Sequence, residues 1–453
     1  MNLQEIASAV NGTVINSPAD NIEIKDIKTD SRVDMTNGLF IPLVGEKFDG
    51  HNFIKSVYDK GAVATLTQHD TVEDSRLAAI KVQDTSKALL DLARYYRKQF
   101  DIPVVGITGS VGKTSTKDMI ASVLTGKFNV HKTQGNFNNE IGLPLTLFAL
   151  DDKTDVAVIE MGMNHFGEIH KLTTTALPKV AVITNIGTSH IENLGSREGI
   201  LKAKLEILDG LDKDGVLVIN GDNDLLKTVN VNVPTIKYGL DKSNDYYATD
   251  IIGEEFGTRA TVTTPKGTYP IYIKALGEHM VYNTLAAIAV AEYFGLTIEE
   301  INKGLDAYIP TKMRMHIEKL DSGITIIDDT YNASADSMKA ALKVLNDYNV
   351  DRNKIAVLGD MFEMGDFAAK LHEEVGDFAA TTDIDILVTI GQLADNIKTG
   401  FANHSTKPVY AFSTKEEFIQ NINNIINKND CILFKASRGM HFETLIEEIR
   451  KVK

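Results

Sequence analysis

The chain has 453 residues, 43% of them hydrophobic and 24% charged, and carries a formal net charge of −15. This is the composition of a globular chain too long for one ordinary core, and it suggests about three domains. The acidic balance argues against sequence-independent nucleic-acid binding, which needs clustered cations, but leaves room for a local basic pocket that takes an anionic substrate.

The first residues, MNLQEIASAVNG, lack the basic start and apolar core of a signal peptide, and no run approaches the ~20 apolar residues of a membrane span. The single cysteine, Cys431, lies in the apolar run CILF, so no internal disulfide is possible and a cytoplasmic setting is expected. Residues 1–83 read as a small α/β domain, with helices over 3–10 and 52–59 and strands over 22–27, 39–42, 62–65 and 79–82. Two polar clusters interrupt it, Thr29-Asp30-Ser31-Arg32 and Phe48-Asp49-Gly50-His51-Asn52-Phe53, and taken bare both are turn chemistry.

Residues 84–311 read as a central domain. It opens on an amphipathic helix over 85–99, with Leu89, Leu92, Ala93 and Tyr96 on one face. An apolar strand over 102–107 then breaks into Thr108-Gly109-Ser110-Val111-Gly112, and Lys113-Thr114-Ser115 opens a helical pattern. Strand, glycine-rich loop and helix start together are the context of a phosphate-binding loop. Gly109 and Gly112 let the backbone aim N–H groups inward, and the helix start adds positive potential. Lys113 is placed to reach the β/γ-phosphates of a nucleoside triphosphate, and the Thr114 hydroxyl to meet Mg²⁺. The usual spacing asks for glycine at 107; here Ile107 stands there and the glycine is one place earlier, at Gly106.

Further strands are expected at 156–161, 180–186 and 216–220 with helices between, which implies a mostly parallel sheet covered on both faces. The segment 246–275 alternates like an antiparallel addition; helices at 282–294 and 298–307 follow, and Ile309-Pro310 marks a boundary. Glu160 ends a strand, as a magnesium-directed carboxylate or a solvated cap. His190 ends Thr184-Asn185-Ile186-Gly187-Thr188-Ser189-His190, as a ligand or a hydrogen-bonded structural residue. Strand carboxyl ends gather ligands at one sheet edge, which favours the first reading of both. Lys204, taken bare, is an ordinary helix lysine, and residues 136–144 are either a loop for substrate amides or a capped helix start.

From residue 312 to 453 the alternation restarts. Strands are expected at 324–328, 354–359, 384–390, 409–412 and 431–435, and helices at 334–346, 367–380, 393–401, 415–427 and 442–451. This is a Rossmann-like doubly wound unit, with Asp328-Asp329 and residues 359–363 at strand ends that face a ligand cleft.

The pattern Gly106-x-Thr108-Gly109-Ser110-x-Gly112-Lys113-Thr114 resembles the phosphate loop of the Mur ligase superfamily, shifted glycine included. The resemblance continues through Asp30-Ser31-Arg32, Gly135-Asn136-Phe137-Asn138-Asn139-Glu140-Ile141-Gly142, Asn185 to His190, Leu276-Gly277-Glu278-His279-Met280-Val281-Tyr282-Asn283, Ile327 to Ala333, Leu358-Gly359-Asp360-Met361 and Lys435 to Met440. It spans all three units and is nearest to the members that join D-alanyl-D-alanine to UDP-N-acetylmuramoyl-tripeptide, through an acyl phosphate, in cytoplasmic peptidoglycan synthesis.

That resemblance implies the following roles. Ser31 and Arg32 meet the UDP part of the substrate. Thr108, Gly109, Ser110, Val111, Gly112, Lys113, Thr114 and Ser115 hold ATP, with Lys113 on the γ-phosphate. Thr114, Glu160 and His190 bind Mg²⁺ directly or through water. His279 and Asn283 meet adenine, Asp329 the ribose and Arg314 the phosphates. Asn138 and Asn139 line the peptide site, and Asp360 to Glu363 help place the dipeptide. Related ligases carbamylate the lysine matching Lys204, turning a cation into a carboxylate-like group; the alternative is a plain lysine paired with substrate phosphate or carboxylate. Asn332-Ala333-Ser334 departs from the family's Asn-Ala-Asn, though Ser334 can still cap a helix. The absence of Asp-Asn-Pro-Arg, the signature of the ligase adding the third amino acid, favours the dipeptide-adding step. Another amide ligase, such as a folylpolyglutamate synthase, is the alternative within the class, and a nucleotide-binding scaffold without catalysis is the alternative outside it. The chain is expected to act as a monomer, without nucleic acid and without membrane insertion.

Overall fold

The computed structural model describes residues 1–19, 22–72, 74–348 and 352–451. Among them the strands form sheets of five, nine and six, with a two-stranded hairpin at Val44–Gly45 and Phe48–Asp49. The residues gather into two compact units. One holds Met1–Gly106, Phe128–Ala181 and Glu206–Gly215; the other holds Ile107–Lys127, Val182–Leu205 and Val216–Lys453. No helix among the described residues is long and apolar enough to cross a membrane.

In the first unit, Asp26–Lys28, Gly38–Phe40, Ala62–Thr67 and Ala78–Lys81 run parallel, and Thr13–Asn16 closes the edge antiparallel. Leu3 and Ile6 from the helix Leu3–Ala9 pack on Leu39, Leu66 and Ile80 in its core. The helix Thr85–Arg97 gives Ala88, Leu89 and Leu92 to the same core. Asp84 starts that helix by accepting the N–H groups of Ser86 and Lys87 at 2.7 and 3.2 Å. Arg97 ends it: its buried guanidinium donates to the carbonyls of Phe100, Ile102 and Ala176 at 2.7, 2.6 and 3.1 Å. One side chain thus satisfies two carbonyls at the turn that leads into the strand Val104–Thr108 and a third at the end of the helix Glu168–Ala176.

In the second unit the six-stranded sheet has a parallel body of Thr325–Asp328, Cys431–Lys435, Lys354–Gly359, Ile386–Ile390 and Val409–Phe412, as its alternating sequence predicts. Cys431 is buried there, and desolvation pushes its thiol up to about 12. Ser334 does cap the helix Ala335–Asp347, accepting the Ser337 N–H. The segment 246–275 folds as the expected antiparallel addition, in strands Tyr246–Glu254, Gly257–Thr264 and Gly267–Ile273.

Six strands of the described residues lie outside the sequence expectation: Thr13–Asn16, the hairpin pair Val44–Gly45 and Phe48–Asp49, Val130–Lys132, Thr235–Gly239 and His316–Lys319. Thr13–Asn16, Val130–Lys132 and His316–Lys319 are sheet edges, half exposed, where no apolar run is required. Arg97→Met should leave three carbonyls without their donor and lower stability by about 3 kcal/mol or more. Urea unfolding measures this, and an unchanged midpoint would contradict it.

Candidate active site

The strand Val104–Thr108 is buried along its whole length, and the helix Lys113–Leu124 follows after four residues. Ile107 is a fully buried strand residue, so no backbone freedom is needed there and the glycine of the usual pattern is dispensable. Gly106 answers packing instead, since a Cβ there would lie 3.0 Å from Met161 Cε and 3.2 Å from Pro178 Cβ. The turn itself needs the other two glycines. A Cβ on Gly109 would meet Thr184 Oγ1 at 1.8 Å, and Gly112 has φ +81°. No side chain caps the helix that begins at Lys113, and a helix start of this kind is suited to an anion. Lys113 folds back over the loop, its Nζ donating to Gly109 O at 2.8 Å.

The segment 184–190 holds this loop in shape. Asn185 accepts the Val111 N–H on Oδ1 at 2.9 Å and the Ser110 N–H on its carbonyl at 3.1 Å. The Thr184 hydroxyl donates to Val111 O at 2.6 Å, and Ser110 Oγ accepts the Gly187 N–H at 2.9 Å. Asn185 was not among the expected site residues, although it sits in the motif that ends at His190. Its signal is a side-chain amide at a strand end, where an acceptor for a neighbouring loop is useful.

Around the helix start the expected residues converge. Arg314 Nη2 donates to Thr114 Oγ1 at 3.1 Å, and its guanidinium stacks on Tyr331 at 4.0 Å. The left-handed residues Met313 and Met315, φ +63° and +51°, flank it. Asn283, almost buried, accepts the Thr116 hydroxyl at 2.9 Å and lies beside Gly112. Asp329 accepts the Met315 N–H at 3.2 Å and pairs with Lys435. Burial lowers the pKa of His279, with Asp329 opposing. Lys204, on the helix Arg197–Leu205, is 1% exposed. Desolvation first, and then the Lys113 ammonium, hold its amine well below the usual lysine range.

In the other unit, Glu160 ends the strand Val156–Glu160 and is buried. Its Oε1 accepts from Asn138 Nδ2 at 2.7 Å, while Oε2 is buried without a partner. Asn139 Oδ1 accepts the Gly142 N–H at 2.8 Å, the capped-start alternative for that loop. Ser31 and Arg32 lie at the surface; Arg32 forks onto Asp30 at 2.9 and 2.8 Å, and Lys60 Nζ donates to Ser31 O.

Asp360 is nearly buried, with Oδ1 accepting the Ala394 N–H at 2.7 Å and both oxygens packed against Gly391. One half of this carboxylate is therefore a loop anchor. His51 is also committed, between Asp49 Oδ1 at 2.7 Å and the Gln68 N–H at 3.1 Å.

The depressed Lys204 amine has a measurable signature in CO₂-free buffer. An unfolded lysine keeps its proton up to about pH 10.4, and the folded amine loses it lower. Between the two values the unfolded state holds more protons, so folding stability rises with pH. Lys204→Met should therefore exceed wild type in stability at pH 7 by about 1 kcal/mol or more, with the gap narrowing towards pH 10. A gap independent of pH would contradict the depressed amine.

Three family models match successive parts of the chain. The Mur ligase family catalytic domain covers residues 23–97, the Mur ligase middle domain 107–291, and the Mur ligase glutamate ligase domain 313–438. UDP-N-acetylmuramoyl-tripeptide–D-alanyl-D-alanine ligase of Bacillus subtilis is 43% identical over 449 residues, which cover 99% of this chain and 98% of that one. The enzyme of the same name from Escherichia coli is 33% identical over 99% of this chain and 98% of its own. Among solved structures, MurF from Acinetobacter baumannii superposes with a TM-score of 0.92 at 33% identity, over 99% of this chain and 98% of that one. MurF ligase from Thermotoga maritima, in complex with ADP, superposes with a TM-score of 0.86 at 29% identity, over 96% and 99%. The chain belongs to the Mur ligase family.

Proposed function

We propose that the chain is an ATP-dependent ligase that joins D-alanyl-D-alanine to UDP-N-acetylmuramoyl-tripeptide in the cytoplasm, as a monomer, in peptidoglycan precursor synthesis. The domains are taken as residues 1–83 for the UDP substrate, 84–311 for ATP and 312–453 for closure over the site. The observation that carries the reading is the phosphate loop 108–115, braced by Asn185, with a buried amine of depressed pKa beside Lys113. The full-length likeness to ligases bearing that name supports the choice of substrates.

The chemistry follows from charge. The tripeptide carboxylate attacks the γ-phosphorus of ATP, ADP leaves, and an acyl phosphate forms. The dipeptide amine attacks the acyl carbon, gives up a proton, and the tetrahedral intermediate expels phosphate, leaving the amide. Lys113 and the uncapped N–H groups at the helix start face the charge that develops in the first step. Asn283 and His279 take adenine, Asp329 the ribose, and Arg314 leaves Thr114 for a phosphate oxygen. Asn138 lines the peptide side, with Asn139 holding its loop, and Ser31 and Arg32 meet the UDP part. The free oxygen of Asp360 is the one left for the dipeptide.

Each unit carries groups whose chemistry suits magnesium: in one, Glu160 Oε2 is a buried acceptor without a partner, and in the other the Thr114 hydroxyl and His190 imidazole are oxygen and nitrogen donors. When bound, the ion would offset the negative charge of the phosphates and the attacking carboxylate. The buried Lys204 amine is suited to condense with CO₂, releasing a proton and becoming a carbamate that adds an anionic oxygen donor.

Purified protein given ATP, Mg²⁺ and UDP-N-acetylmuramoyl-tripeptide should release phosphate and yield the pentapeptide product only when D-alanyl-D-alanine is added, as read by mass. Phosphate release indifferent to both substrates would overturn the assignment. Lys113→Ala should stay folded and lose about a hundredfold to a thousandfold in kcat, the worth of one preorganised charge contact. Turnover within a few-fold of wild type would reject the phosphate-loop role.

A further inference from the structure

One contact of His190 is not used by the chemistry above. Glu363 Oε2 lies 2.9 Å from His190 Nδ1, an ion-pair distance not yet in line for a hydrogen bond. His190 follows the strand Val180–Ile183 in the phosphate-loop brace, whereas Glu363 belongs to the loop after the strand Lys354–Gly359. The two are 173 residues apart in sequence (363 − 190).

Both members of the pair hold a left-handed backbone, His190 at φ +63° and Glu363 at φ +62°. Non-glycine residues keep that conformation when surrounding structure over-determines it, and such strain clusters at working sites. The Glu363 loop is fixed from both directions. The Met361 N–H donates to His372 Nε2 at 2.8 Å, and the Phe362 N–H to Ser437 Oγ at 2.8 Å. On the far side, Gly365 backs onto Glu192, where a Cβ would come within 2.9 Å of Cγ. The carboxylate is thus brought to the imidazole by its own loop's anchors. A second carboxylate from the same part of the chain, Asp336, accepts the Thr188 N–H at 3.2 Å and seats the neighbouring turn.

We propose that Glu363 is the positioning partner of His190: it takes the Nδ1–H, fixes that tautomer, and leaves Nε2 to the metal. Metal-binding histidines commonly give their other ring N–H to a carboxylate, which orients the ring and raises its basicity. Because Glu363 is carried on the C-terminal sheet, the arrangement is complete only when that sheet is seated on the phosphate-loop brace. Domain seating and metal competence are then one event. This inference rests on the reading of His190 as a magnesium ligand.

The test compares wild type with Glu363→Gly, Glu363→Gln and His190→Asn at one pH. Three quantities are read: ring ¹⁵N shifts of His190 without nucleotide, Mn²⁺ affinity in the presence of ADP by EPR, and steady-state kinetics. In wild type the Nδ1–H tautomer should dominate. Glu363→Gly should shift it towards Nε2–H, weaken Mn²⁺ about tenfold and lower kcat, with KM for the dipeptide within about twofold. Glycine prefers the left-handed backbone, so this variant should melt no lower than wild type, which separates positioning from scaffolding. Glu363→Gln, keeping an acceptor oxygen, should fall between the two. An unchanged tautomer and Mn²⁺ affinity in Glu363→Gly would overturn the proposal. Unchanged Mn²⁺ affinity in His190→Asn would instead overturn the metal role of His190, while the tautomer shifts would still decide the pairing.

Discussion

Two lysines lie close together at the phosphate loop, and burial works against an ammonium group on one of them, Lys204. Lys113 lies over the loop that it is placed to serve, and Lys204 is buried beside it without solvent to spread its charge. Burial and like charge act in the same direction on Lys204, so its neutral form is favoured. A neutral amine is the reactive form towards CO₂, and the adduct would reverse the sign of the charge at that position. The site then changes from two competing cations to a cation for phosphate and an anion for metal. That difference in charge is what a reaction joining two anions requires before it can begin.

The surrounding bonds fix the loop that precedes Lys113 and the start of its helix. Gly109 and Gly112 make the turn, but it is the segment from Thr184 to Ser189 that fastens Ser110 and Val111 through backbone and side-chain bonds. Arg314 is held on the other side by Thr114 and the Tyr331 ring, and the hydroxyl of Thr311 donates to Asp118 at 2.7 Å. Loop, brace and linker therefore meet at the start of one helix. Displacing any of them moves the N–H groups that face the anion, which matters because positioning and fixed charge supply most of the catalysis in phosphoryl transfer.

What the chain's order of residues made legible was local. The strand, loop and helix around Gly109 are contiguous, and so is the alternation that forms the C-terminal sheet, where three strands, Lys354–Gly359, Val409–Phe412 and Cys431–Lys435, lie where the apolar runs put them. The edge strand Val130–Lys132 is half exposed and carries no such run. Residue types also show what a side chain can donate or accept, never to whom. Asn139 was expected at the peptide and is seen on the Gly142 N–H; Asp360 was expected at the dipeptide and spends one oxygen on Ala394. Asn185 and Glu363 act on segments 74 residues (185 − 111) and 173 residues (363 − 190) away, and only folding brings them there.

The chemical state of Lys204 decides how charge is arranged around the phosphate loop, and carbon-13 NMR reads it directly. Protein equilibrated with ¹³C-bicarbonate should show one protein-bound carbamate carbon that disappears on removal of CO₂, together with ligase activity. Bicarbonate should restore both. Full activity in CO₂-free buffer, with no bound carbon at any bicarbonate concentration, would leave Lys204 a buried lysine and contradict the carbamate.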